Sequence, residues 1–161
     1  MNKPASLRAH LEAAVPELRN NADRLLVFAD NGTLRSTAAP GLSFEYAYTL
    51  NLIFTDYAGH LDTIAIPLFA WLLVNQRELM ENLDRVKDAV KFEADLIDNT
   101  KVDLSITLPL TERVIVKRQP DGTLQVTHPP EPQVEEPFEA TNWQLFDGAG
   151  ELLAEWENPA P

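Results

Sequence analysis

Ser43-Phe44-Glu45-Tyr46-Ala47-Tyr48-Thr49-Leu50-Asn51-Leu52-Ile53-Phe54-Thr55 is the stretch that decides the fold of this 161-residue chain. Phe44, Tyr46, Tyr48, Leu50, Leu52 and Phe54 alternate with Glu45, Ala47, Thr49, Asn51, Ile53 and Thr55. Successive side chains of an extended strand point to opposite faces, so this period of two gathers the large apolar groups on one side of a sheet. Burying that face contributes on the order of 10 kcal/mol before conformational entropy is counted. The strand therefore belongs near the centre of a sheet, with a helix over its apolar face.

Two main helices are legible around it. Residues 4–21 open with Pro4, which suits a first helical position because its missing N–H has no partner there anyway. Leu7, Leu11, Ala14, Val15 and Leu18 then form one apolar stripe, and Pro16 inside it predicts a kink or the start of a second short helix. The second helix runs from Asp62 or Thr63 to Asn75. It is apolar nearly all round, which predicts the most buried helix, with Pro67 tolerable only near its first turn. Leu79, Leu83, Val86 and Val90 keep helical spacing, as a further short helix or an irregular crossing.

The remaining pattern is strand and turn. Val102, Leu104, Ile106, Leu108 and Leu110 alternate with polar partners as a second amphipathic strand, and Pro109 places its end at an edge or bulge. Lys91–Ile97 reads as a strand before an Asp98-Asn99-Thr100-Lys101 turn. Leu25–Asp30 and Thr33–Thr37 flank Asn31-Gly32, the signature of a tight hairpin turn. Val114–Arg118 and Thr123–Thr127 flank Pro120-Asp121-Gly122 in the same way. The fold class is α+β, mostly antiparallel sheet packed against two main helices. Residues 1–128 form one domain, 129–137 a stiff, solvated Pro/Glu-rich linker, and 138–161 a C-terminal acidic hairpin or arm.

Composition narrows function by exclusion. The chain has no cysteine, which removes disulfides, thiolate nucleophiles and thiolate metal sites. Its net charge is −12, of which residues 129–161 carry −8 with no Lys or Arg, leaving −4 for residues 1–128. Direct nucleic-acid binding is not expected of such a chain, because phosphate recognition needs a cationic face. No apolar run approaches the roughly 20 residues of a membrane span. No apolar signal core follows Met1, so the chain is expected to stay in the cytosol where it is made. His10, His60 and His128 have no metal-ligand spacing, and Asp95, Asp98 and Asp103 lack the spacing and glycine of a calcium loop. No phosphate loop or nucleophile elbow is present. No catalytic, cofactor-binding or metal-ligating residue is assigned, and no enzyme activity is expected.

Two groups remain as candidate protein interfaces. Arg113, Lys117 and Arg118 are the most basic short stretch, either an edge strand charged against aggregation or a contact for an acidic partner. Trp143, Phe146 and Trp156 lie in the acidic arm, where the tryptophans either dock on the chain's own body or grip a neighbouring subunit.

Met1-Asn2-Lys3-Pro4-Ala5-Ser6-Leu7-Arg8-Ala9-His10-Leu11, Val27-Phe28-Ala29-Asp30-Asn31-Gly32, Leu42-Ser43-Phe44-Glu45-Tyr46 through Tyr48-Thr49-Leu50-Asn51-Leu52, and Leu110-Thr111-Glu112-Arg113-Val114-Ile115-Val116 together resemble the tail completion protein R (GpR) family of temperate, contractile-tailed bacteriophages and prophages. The similarity covers about residues 1–128. It implies a structural virion protein, similar to tail terminators, that completes the head-proximal end of the tail and prepares it for head joining. Implied partners are further copies of the chain in a ring, six-fold to match the tube, together with the tail tube, the sheath and a neck or connector protein. The implied locations are the host cytoplasm during assembly and then the virion tail. The alternatives are a neck or head–tail connector component and a cytosolic protein-binding module.

Overall fold

The computed structural model describes residues 1–37, 41–97, 100–133 and 142–157. Strands β1 (Leu25–Ser36), β2 (Phe44–Tyr57), β3 (Lys91–Leu96) and β4 (Val102–Arg118) form an antiparallel sheet in the order β1-β2-β4-β3. β5 (Leu124–Thr127) pairs with the far end of β4. β2 is central, as its alternation requires. Its Tyr48, Leu50, Leu52 and Phe54 are buried together with Leu104, Ile106, Leu108 and Leu110 of β4. Two helices, α1 (Lys3–Ala14) and α2 (Asp62–Asn75), cover that face with Leu7, Leu11, Ile64, Leu68, Trp71 and Leu72. The fold is α+β, an antiparallel sheet under two main helices.

Three local expectations are corrected. Asn31-Gly32 does not turn the chain back: β1 continues through it. The register steps from Asp30↔Thr49 to Thr33↔Ala47, so Asn31 and Gly32 together oppose Tyr48 alone. That is a β-bulge, with Asn31 at φ +52°. The left-handed conformation read from the dipeptide is present, and it serves to kink a strand. Pro109 likewise does not end its strand. The expected strands 102–111 and 114–118 are one seventeen-residue β4. Pro109 pairs with Thr49 two residues beyond the last β3 partner, Thr107, so β4's outer edge needs no N–H there. Pro67 is the sixth residue of α2, beyond its first turn, and its own carbonyl faces His10.

Pro16 acts as its chemistry demands. The residue before a proline avoids the helical region. Val15 is accordingly extended, at ψ 115°, and α1 stops at Ala14. A second bulge lies near the end of β2, where Phe54↔Leu104 steps to Tyr57↔Val102 around Asp56 at φ +51°. The extra residue turns Tyr57 back into the core. Its hydroxyl bonds to Thr63 and, at 3.2 Å, to the His60 carbonyl. A Cβ at Gly59 would lie 2.6 Å from that hydroxyl, so glycine is required.

After α2 the chain makes two short helices, α3 (Glu78–Glu81) and α4 (Leu83–Ala89), before β3. Strands β6 (Asn142–Phe146) and β7 (Leu152–Glu157) form a separate hairpin. It packs Ala154 and Trp156 against Ala14 of α1, with Ile66 of α2 alongside. Arg19 donates from its guanidinium to the Glu155 carbonyl. Asp98 and Asn99 of the expected turn, the linker beyond Gln133, and residues 138–141 and 158–161 of the arm lie outside the described residues.

Candidate interaction surfaces

At one end of the sheet, Glu112 interrupts the apolar face of β4 between Leu110 and Val114, and it is only 4% exposed. A buried carboxylate needs donors, and it has them. The Tyr48 hydroxyl donates to Oε1 at 2.5 Å and the Asn2 backbone N–H to Oε2 at 2.6 Å. His128 Nδ1 lies 3.9 Å from Oε2. Burial first, then the hydrogen bond and charge of Glu112, push the Tyr48 hydroxyl far above its usual range.

A second buried polar group, Gln76 at the end of α2, seals β4's edge beyond β3. Thr111 donates its N–H to Gln76 Oε1 at 3.2 Å, and Gln76 Nε2 donates to Thr111 Oγ1 at 3.0 Å. Lys3 Nζ bridges Gln76 Oε1 at 2.6 Å and Glu131 Oε1 at 2.9 Å. Gln133 Nε2 donates to the Val74 carbonyl at 2.9 Å. The described start of the Pro-rich segment is thus bonded to the body and is not free in solvent. These groups are engaged in bonds that hold the body together. Among the described residues no three His, Asp or Glu side chains gather as a metal would need. No helix there is long and apolar enough to cross a membrane.

His10 provides a pH handle on the helix layer. Its Nε2 lies 3.0 Å from the Pro67 carbonyl, so the neutral ring donates there. Burial lowers its pKa, against the smaller opposing effect of that hydrogen bond. The unfolded chain then takes up this proton first, and stability should fall as pH drops below about 6.5. His10→Gln, which keeps a neutral donor, is expected to flatten that part of the acid limb in thermal midpoints measured from pH 7 to 5. An unchanged limb would assign it to other groups.

The residues singled out from sequence fall into two separate groups. Arg113 is exposed on β4 across from Glu45 and lines a surface hollow with Arg77, Glu81 and Glu131. Lys117 and Arg118 are exposed where β4 pairs with β5, beside exposed Leu124 and Val126. Trp156 is buried on the chain's own body, with the Trp143 ring 5.9 Å away, while Phe146 remains exposed. The basic group lies on β4 and the aromatic one on the β6–β7 hairpin.

The exposure of the sheet's outer strands was not anticipated from the sequence. Every residue of β3 is exposed, including Phe92 at 68% and Leu96 at 82%. Phe92, Ala94 and Leu96 pair with Ile106, Leu104 and Val102, so they share the face that the helices cover elsewhere. The helix layer stops short of them. At the opposite edge, Leu26 and Phe28 of β1 are also exposed. The alternation of Phe92, Ala94 and Leu96 was visible in the sequence, but alternation alone implies a covered face and cannot say that the cover is missing.

Residues 1–132 match the family model described as P2 phage tail completion protein R (GpR). The chain is 42% identical over 157 residues to tail completion protein R of Escherichia phage P2, an alignment spanning 98% of this chain and 99% of that relative. No solved structure matches.

Proposed function

The chain belongs to the P2 phage tail completion protein R family, and from that premise we propose that it caps the head-proximal end of the tail as a closed ring of several copies. It is a structural component of the phage tail and not an enzyme. In this reading the ring sits on the last tube ring, ends elongation of tube and sheath, and offers its other face to the neck so that a filled head can join. Residues 1–128 are the ring body, and residues 138–161 are an arm tethered by 129–137.

The observation that carries this reading is the pair of open sheet edges. Among the described residues β1 and β3 each lack a neighbour on one side, and they run in opposite directions in the sheet. Two different patches on one subunit are what a head-to-tail cyclic contact uses. The β4–β5 hairpin, with Lys117, Arg118, Leu124 and Val126 exposed, is the surface assigned to the tube or neck, with Arg113 at its base. Phe146 is the arm's exposed aromatic contact, on the hairpin whose Trp156 is buried against the body.

Phage lacking this chain should build tails that are uncontrolled in length or fail to take heads, as counted in electron micrographs. Complementation with Lys117→Glu/Arg118→Glu should lower the yield of infectious particles at an unchanged thermal midpoint, because both side chains are exposed. Normal tails and full infectivity without the chain would overturn the reading.

A further inference from the structure

The ring reading leaves open which surfaces meet, and the sheet restricts the answer. β1 carries its bulge after Asp30, so its straight part is Leu25–Asp30, the same length as the six-residue β3, Lys91–Leu96. The four strands alternate in direction, so a second copy placed beside β3 without inversion presents its β1 antiparallel to β3. Its helix layer then lies on the same side of the joined sheet.

Hydrogen-bond phase can be read from Pro109. With no N–H, it must sit in a pair that exchanges no bonds with β2, so odd residues of β4 face β3 and even residues face β2. The N–H of Thr111, directed to Gln76 and away from β2, agrees. Propagated through the register, Phe92, Ala94 and Leu96 turn their backbone groups to β3's outer edge, and Leu25, Val27 and Ala29 turn theirs to β1's, where the Leu25 N–H is already donated to the Ala22 carbonyl. Aligning the two segments end to end sets Phe92 opposite Ala29, Ala94 opposite Val27 and Leu96 opposite Leu25. Donors and acceptors meet at Phe92–Ala29 and Ala94–Val27, Leu25 offers its carbonyl alone, and all of these side chains lie on the helix-covered face. The same alignment puts Lys91 opposite Asp30, in a closely spaced pair where opposite charges attract. A slip by two residues in one direction sets Glu93 against Asp30, and in the other it removes the charge pair. Two copies joined through β3 alone, in the matching phase, would oppose Glu93 to Asp95 twice when centred on Ala94, and Glu93 to itself, with Lys91 against Asp95 on either side, when centred on Glu93.

We propose that successive copies of this chain join edge to edge, β3 of one against β1 of the next, in the register that pairs Lys91 with Asp30. The contact deepens the ring reading and rests on it. It covers Phe92 and Leu96 and continues one antiparallel sheet from subunit to subunit.

The absence of cysteine makes the test direct. Asp30→Cys/Lys91→Cys should give disulfide-linked multimers on oxidation, both in concentrated protein and in tails assembled with the variant. Asp30→Cys/Glu93→Cys, two residues out of register, should give far fewer. In parallel, Lys91→Asp should weaken association by about fivefold per contact, and adding Asp30→Lys should restore it. Copies that associate in light scattering, or are counted several to a tail, without cross-linking through 30 and 91 would overturn this contact and leave the ring standing. A chain that stays single in solution and on the tail would overturn both.

Discussion

Trp71→Ala is expected to cost about 3–5 kcal/mol of folding stability, a large part of the roughly 5–15 kcal/mol that a domain has. Trp71 is fully buried in the middle of α2, in the core shared with α1 and the apolar faces of β2 and β4. Truncation removes its contacts with that core and leaves a cavity between the helix layer and the sheet, which can collapse only if those layers move. It also removes the hydrogen bond that Trp71 Nε1 donates at 3.1 Å to the Ser6 hydroxyl, at an exposed residue where water can replace it. Trp71→Phe keeps most of the volume while losing the donor and part of the ring, so it separates the cavity from the hydrogen bond. Urea midpoints should place Trp71→Phe well above Trp71→Ala. Equal, small losses would mean that the helix layer is not packed as described.

Glu112→Ala is expected to rank second, at about 1–3 kcal/mol, because it leaves a buried donor, the Tyr48 hydroxyl, without its acceptor. It also removes the acceptor of the Asn2 N–H, at an exposed residue where water can take its place. Tyr48→Phe removes one donor together with its bond and should cost less. The double variant should cost less than the sum of the two, since the unmet hydroxyl is gone. The same pair sets an alkaline limit. Tyr48 titrates above its ordinary range when folded, so the unfolded chain loses that proton first. Stability is unaffected below about pH 10 and falls as pH rises beyond it. Tyr57, raised mainly by burial, adds to this slope. Tyr48→Phe should make the alkaline slope shallower, and strictly additive variants with an unchanged slope would dissolve the assigned pair.

What the sequence made legible was whatever a single period carries. The alternation from Phe44 to Phe54 specified a central strand, and the apolar surround of α2 specified a buried helix, because burial on one side or on all sides leaves a direct mark. Asn31-Gly32 shows the limit: positive φ is legible, but whether it closes a hairpin or kinks a strand depends on Tyr48 across the ladder. Pro109 shows the same limit, since its tolerance in β4 depends on where β3 stops. The basic stretch and the aromatic arm were visible as composition. The open edges were not, because exposure of Phe92 and Leu96 results from where α1 and α2 end in space. Glu112 was hidden for a related reason: a polar residue in an alternating strand reads as a change of face until its three-dimensional partners are known.

The proposed function depends on several copies of the chain closing as a ring at the end of the tail. The direct measurement is imaging of headless tails, with the copies of this chain counted and located on them. The expected result is a single closed ring at one end of each tail, with β3 of every copy beside β1 of the next. One copy per tail, copies spread along the tube, or finished tails that lack the chain altogether would contradict it.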